Sequence, residues 1–317
     1  MMNDKLHEPI VVGVDGSDEG IQAVRYAVRE ARTLDCGVRL VHAIPETVPM
    51  APMYPLISAD SLDRVGQRIV NESKRLVNDL AGDQVPVERV VSPGARVHVL
   101  DDAGQDARMI ILGHRDRSIL GRVLTSSTTT GVSARARCPV VCVPSSWTPG
   151  SPKGRVVVGV KSEESAQEPL AVAFAAADTR KARLTVLHAW KPETPYGDFV
   201  VSQIAIEAWV NEVTAKLDEV LRHWREAYPE VEVDIDVRAE FAGSALVAAS
   251  QDAELLVLGR RGRGPLRRFH LGATARTLIR ETRCPLAIAP NRLAEVVLPA
   301  QRLSAGEEIS RTPESRS

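Results

Sequence analysis

The amino-acid sequence predicts an α/β protein built as two copies of one domain, each a succession of parallel βαβ units. Three observations carry that expectation. Short runs of β-branched and aliphatic residues alternate with segments of helical periodicity, as parallel strands and their crossover helices require. At 317 residues, with 44% apolar and 26% charged side chains, the chain has the size of two domains that each bury a core. Five landmarks also recur at one separation: Gly13 and Gly159, His42 and His188, Gly113 and Gly259, Cys138-Pro139 and Cys284-Pro285, and Pro144 and Pro290 are each 146 positions apart. One constant offset at five anchors marks a tandem duplication.

Taken in order, Pro9 to Asp15 is a continuous β-branched run ending in Asp-Gly-Ser, the pattern of a strand buried on both faces. Asp18 is placed to cap the next helix, in which Ile21, Val24, Val28, Ala31 and Leu34 keep helical spacing. Val38 to Ile44 reads as a strand, and the proline-rich crossing Pro45 to Pro55 leads to an amphipathic helix carrying Leu62, Val65, Ile69, Leu76 and Leu80. Then come a strand from Val85 to Val91, a short helix from Ala95 to Ala103, a buried strand Met109 to Leu112, a loop opened by Gly113, a helix from Ser127 to Ala136, and a last strand Pro139 to Val143. Residues 9–145 form the first domain. A turn-rich linker, 146–153, precedes the second, 154–290; residues 1–8 are an extension, and the tail 291–317 has little to bury and is expected to be disordered at its end.

Composition removes several function classes. A net charge of -1, a pI near 6.7 and only 4% aromatic residues argue against nucleic acid as the main partner. No run approaches the roughly 20 apolar residues of a membrane helix. Asp4 and Glu8 stand where a signal peptide needs a basic start and an apolar stretch, so the chain is expected to be cytoplasmic. Cys36, Cys138, Cys142 and Cys284 show no Cys-x-x-Cys pair. Cys138 and Cys142, four apart on a strand, are separated by about 13 Å, too far for one metal or a bridge. Reduced structural thiols are expected.

The stretch richest in chemistry is Leu258 to Thr274, where Gly259, Gly262, Gly264 and Gly272 are interleaved with Arg260, Arg261, Arg263, Arg267 and Arg268 between a strand and a helix that starts near Ala273. Glycines let main-chain N–H groups approach a ligand, and a helix N-terminus favours an anion, so the pattern reads as a seat for phosphate. No Gly-Lys-Ser/Thr follows, which excludes a Walker loop. The plainer alternative is a solvated basic loop.

With these residues together, each half resembles a universal stress protein domain. The first strand ends Val-Gly-Val-Asp-Gly-Ser, the second Val-His-Ala and the fourth Ile-Leu-Gly, followed by a glycine loop, a helix and a Cys-Pro opening the final strand. The resemblance covers residues 8 to 144 and 154 to 290. It implies doubly wound domains, each an open five-stranded parallel sheet with helices on both faces, and pairing through the outer, last strands, either between two chains as a homodimer or between the two halves. It also implies a family divided into members that bind ATP and members that do not, the binders having an Asp at the end of the first strand and a Gly-x2-Gly-x9-Gly-Ser/Thr loop for the phosphates.

Carried over residue by residue, the resemblance assigns Gly13, Asp15, Ala43, Gly113, Arg122, Ser126 and Ser127 in the first half, and Gly159, Ala189, Gly259, Arg260, Arg261, Gly262, Arg263, Gly264, Gly272 and Ala273 in the second, to nucleotide binding. The departures fall at opposite ends. The first half keeps Asp15 but has Asp116 at the second glycine position, a carboxylate that repels phosphate unless Mg²⁺ lies between them. The second half keeps Gly259, Gly262 and Gly272 but has Lys161 where the carboxylate belongs, and an ammonium cannot accept from a ribose hydroxyl or adenine amino group. His42 and His188 read as packing or hydrogen-bonding residues, and no nucleophile, base or metal cluster supports an enzyme beyond slow ATP hydrolysis assisted by Mg²⁺ at Asp116. The expectation is a stress-response regulator that binds ATP at its strand ends; the alternative is the same fold as a nucleotide-free interaction or dimerisation module.

Overall fold

The structure, a computed structural model, describes residues 6–45, 59–114, 126–150, 153–191, 203–260 and 271–291. The first half runs β1 (Ile10–Gly13), α1 (Asp18–Leu34), β2 (Val38–Ile44), α2 (Ala59–Ala81), β3 (Val87–Pro93), α3 (Arg96–Ala103), β4 (Met109–His114), α4 (Ser126–Arg135) and β5 (Val140–Pro144). The second half repeats it with β6 (Arg155–Gly159), α5 (Gln167–Arg180), β7 (Arg183–Ala189), α6 (Gln203–Ala227), β8 (Val233–Arg238), α7 (Ala242–Ala249), β9 (Leu255–Gly259), α8 (Ala273–Glu281) and β10 (Leu286–Ala289). Both halves even end their first helix alike: Asp35 and Lys181, equivalent positions, adopt the left-handed conformation with φ 49° and 50°.

The strand order β3-β2-β1-β4-β5-β10-β9-β6-β7-β8 contains the doubly wound arrangement twice. Within each half every neighbouring pair is parallel, and β1 is central, with Ile10, Val11 and Val12 fully buried. The sheets are not open at their last strands. β5 and β10 pair antiparallel, Leu286 opposite Cys142 and Ile288 opposite Val140, and make one sheet of ten strands. The expected pairing through the last strands therefore occurs within the chain and occupies both of them.

Helices cover both faces. α1, α2, α5 and α6 lie over one continuous core that crosses the seam, from Val24, Val70 and Leu40 to Phe174, Leu184 and Trp224. On the opposite face Val99, Leu100 and Val132 of α3 and α4 form one cluster, and Leu246, Leu278 and Ile279 of α7 and α8 another. The stripe of α2 is turned from the expected one: Gly66, Val70, Val77 and Ala81 are buried, while Val65 and Leu80 are exposed. Gly66 is the cause, because a Cβ there would lie 2.8 Å from Val91 and 3.1 Å from His42, so the helix seats its bare backbone on the sheet and rotates Val65 outward. The linker is also less loose than its turn residues suggest. Trp147 is buried and meets Tyr26 edge-on at 5.2 Å between ring centroids.

All four cysteines are free and buried. Burial pushes the thiols of Cys138, Cys142 and Cys284 up to about 12, against roughly 8.5 for an unfolded thiol. The folded state thus holds these protons longer than the unfolded one. Their contribution is complete below about pH 8.5 and is lost as pH rises towards about 12. Urea midpoints are expected to fall between pH 8 and pH 10, with a shallower fall in Cys142→Ala; an equal slope in that variant would show that the thiol is not responsible.

Candidate functional site

In each half the chain reverses direction across the sheet beside the first strand, so the carboxyl ends of β1 and β4, and of β6 and β9, diverge into a crevice. Open α/β sheets take ligands at this point. Because β5 and β10 are antiparallel, the two crevices open on opposite edges of the sheet, and one ligand cannot bridge them.

At the first crevice, buried Val14 continues the ladder, its N–H donating to Val41 O at 2.9 Å, and Asp15 emerges exposed. Asp15 Oδ1 accepts from Ser17 N at 3.1 Å and from Ser17 Oγ at 2.5 Å. Ser17 Oγ accepts in turn from Gly20 N at 3.2 Å, so Ser17, and not Asp18 as the sequence suggests, caps α1. Gly16 makes the turn possible at φ +80°. One carboxylate oxygen of Asp15 is thereby fixed while the group remains open to solvent. The positive end of α1 already faces Asp18 and Glu19, whereas α4 has no acidic residue in its first turn. A phosphate entering this crevice is therefore favoured at α4. Above the strand ends, His42 Nδ1 donates to Val14 O at 2.7 Å.

The second crevice repeats the frame with different chemistry. His188 Nδ1 donates to Val160 O at 3.0 Å, and burial, opposed by that bond, lowers its pKa below the usual histidine value. Lys161 is exposed where Asp15 stands in the first half. No capped helix follows directly: a 3-10 turn, Glu163–Ser165, comes first and α5 begins at Gln167. The rim is aromatic, with Trp209 5.8 Å from His188 and 5.7 Å from Trp190, and Lys191 Nζ 5.6 Å above the Phe241 ring. The equivalent of Trp190 in the first half is Ile44, so the offset itself exposes this difference in the sequence. α8 is opened by Gly272 and Ala273 with no side-chain cap and no acid in its first turn.

Several glycines assigned to the ligand are also required by packing. A Cβ on Gly113 would lie 2.1 Å from Glu19 O, because β4 ends against the first turn of α1. Gly13 faces Leu112 at 2.6 Å and Leu100 at 3.2 Å, and Gly159 faces Leu246 and Leu258, each at 3.0 Å. Gly259 is freer, with Pro169 at 3.2 Å and the Ser165 carbonyl at 3.6 Å. Ala43 and Ala189 lie at the strand ends opposite Ser92 and Arg238, their side chains packed toward α3 and α7. Arg260 is engaged across the seam: Nη1 donates to Ala136 O at 3.1 Å and Ser133 O at 3.4 Å, closing the carboxyl end of α4. Burial lowers its pKa from the usual arginine value. Arg122, Arg261, Gly262, Arg263, Gly264 and Asp116 lie outside the described residues, as do the side chains of Ser126 and Ser127. Among the described residues no group of three or more His, Cys, Asp or Glu side chains could hold a metal ion, and no helix is long and apolar enough to cross a membrane.

The model of the universal stress protein family matches residues 7–144 and 153–290. A universal stress protein of Mycobacterium tuberculosis is 30% identical over 295 residues, covering 90% of this chain and 97% of its own. One from Mycolicibacterium smegmatis is 28% identical over 297 residues, covering 92% and 100%. Among solved structures, a universal stress protein from Archaeoglobus fulgidus superposes with a TM-score of 0.62 at 16% identity, over 90% of this chain and 99% of that one, which shows a common fold.

The unequal glycine spaces yield a direct test of the two crevices. Gly113→Ala is expected to lower unfolding stability by about 1–3 kcal/mol, since the clash is with backbone that cannot turn aside. Gly259→Ala should lower it by less than about 1 kcal/mol. Equal urea midpoints for the two variants would contradict the packing role assigned to Gly113.

Proposed function

Because the chain belongs to the universal stress protein family, we propose that it is a cytoplasmic stress-response regulator that takes ATP at the crevice of its first half and presents the occupied state to a partner. The carrying observation is the contrast at the first-strand ends. Asp15 is exposed, ionisable and held by Ser17, whereas Lys161 offers only donors at the equivalent place. A fixed carboxylate suits ribose hydroxyls or the adenine amino group, and the acid-free start of α4 suits the phosphates. The described residues supply no metal cage, so in this reading Mg²⁺ enters with the nucleotide. The role is binding and not catalysis.

A second reading, the same fold as a nucleotide-free interaction module, is favoured by Arg260. Its guanidinium, expected at a phosphate, instead joins the two halves. Equilibrium dialysis of labelled ATP against the full chain separates the readings. Asp15→Ala is expected to weaken binding by about tenfold to a hundredfold, the loss of hydrogen bonds to a charged group. Lys161→Asp is expected to add affinity at the second crevice. Undetectable ATP binding by the parent protein supports the interaction module, and unchanged affinity in Asp15→Ala removes the role given to that carboxylate.

A further inference from the structure

Two copies of one domain face a problem of partner choice, because the surface each offers at the seam is a repeat of the other. Beside the β5–β10 pairing, where α1 meets α5, the copies differ sharply. Arg180 Nη2 donates to Glu30 Oε2 at 2.5 Å and to the Tyr26 hydroxyl at 3.3 Å, and its Nε lies 3.7 Å from Glu254 Oε1. Arg29 pairs with the same Glu254. The side chains of Arg180, Glu30 and Glu254 keep only 9%, 5% and 4% of their exposure. Burial alone would lower the pKa of Arg180, but Tyr26 and Glu30 beside it more than reverse this, so the cation is secure; burial pushes the Tyr26 hydroxyl up and keeps it neutral.

The cluster has no symmetric counterpart. At the 146-residue offset, Tyr26, Arg29 and Glu30 correspond to Val172, Ala175 and Ala176, and Arg180 and Glu254 correspond to Leu34 and Arg108. Pairing two first copies through the same faces would set Glu30 against Leu34 and Arg29 against Arg108. Pairing two second copies would bury Arg180 against Ala176 and Glu254 against Ala175. The first like pair leaves Glu30 beside an apolar side chain and sets two arginines together; the second keeps only the 3.7 Å contact of Arg180 with Glu254 in each copy and strips Arg180 of its bonds to Glu30 and Tyr26, and both changes are destabilising. A completed buried ion pair adds little net stability over an apolar contact, so its distinctive effect is discrimination.

We propose that Arg29, Glu30, Arg180 and Glu254 form a partner code at the seam, which admits one first-type and one second-type copy and rejects like pairs. The seam is then a matched interface for a single kind of partner, a domain carrying the complementary charges.

The code is tested on the full chain, folded first and then cut at a protease site inserted at Gly150, in the exposed stretch after Trp147. The two fragments differ in mass, and native mass spectrometry counts mixed and like pairs after incubation. The parent is expected to give mixed pairs only. Arg29→Leu, Glu30→Leu, Arg180→Leu and Glu254→Leu combined should melt at or above the parent's temperature while the mixed fraction falls to about half, the random value. Should that variant not fold, a charge exchange serves: protein carrying Glu30→Arg with Arg180→Glu is cut and mixed with cut parent. Its fragments are expected to pair with each other and to refuse the parent's fragments. Like pairs or dissociated fragments from the parent, mixed pairs alone from a folded apolar variant, or free crossing between parent and exchanged fragments would each overturn the proposal.

Discussion

The antiparallel pairing of β5 with β10 is the constraint on which the rest of the molecule depends. Every residue of both strands is buried, so neither half has a solvated last edge. Unpaired strand edges invite association with other chains, and joining them removes two such edges at once. The same pairing runs the core under α1, α2, α5 and α6 continuously across the two halves and brings α1 against α5. It also orients the crevices: two internally parallel sheets joined antiparallel must open at opposite edges. The carboxyl end of α4 consequently lies at the edge where the second crevice opens, which is why Arg260, at the end of β9, can reach it.

The crevices share a frame and differ in chemistry. His42 and His188 make the same bond to the carbonyl that ends the first strand, so the backbone geometry of the strand ends is preserved in both. Around that frame the first half has a pinned carboxylate and a capped helix. The second has a lysine, a 3-10 turn and an aromatic rim. Ligand sites tolerate such divergence because side chains at strand ends carry little of the core's packing. Gly113 tolerates none, being fixed by the approach of α1 to within van der Waals contact.

Much of the fold was legible in the sequence. Apolar runs and helical spacing located the elements of the first half, and the constant offset transferred them to the second, because strand burial and helix periodicity are local properties of a chain. The pieces that escaped depend on contacts between distant residues. Gly66 turns α2 by packing on His42 and Val91, and nothing near Gly66 in the sequence announces that contact. Arg260 sits in a run of glycine and arginine that reads as a phosphate loop, yet its partners are carbonyls more than 120 positions earlier, at Ser133 and Ala136. Ser17 displaced Asp18 as the helix cap because the carboxylate of Asp15 fixes the Ser17 hydroxyl. Part of the aromatic rim was readable from the offset, as Trp190 stands where Ile44 does. Its position at the crevice required the sheet.

In the proposed reading one crevice of the two takes an adenine nucleotide. Native mass spectrometry of the intact chain during a titration with ATP and Mg²⁺ is then expected to show a single added nucleotide per chain at saturation. Two nucleotides per chain would show that Lys161 does not impair the second crevice, and none would show that Asp15 serves its own turn and no ligand.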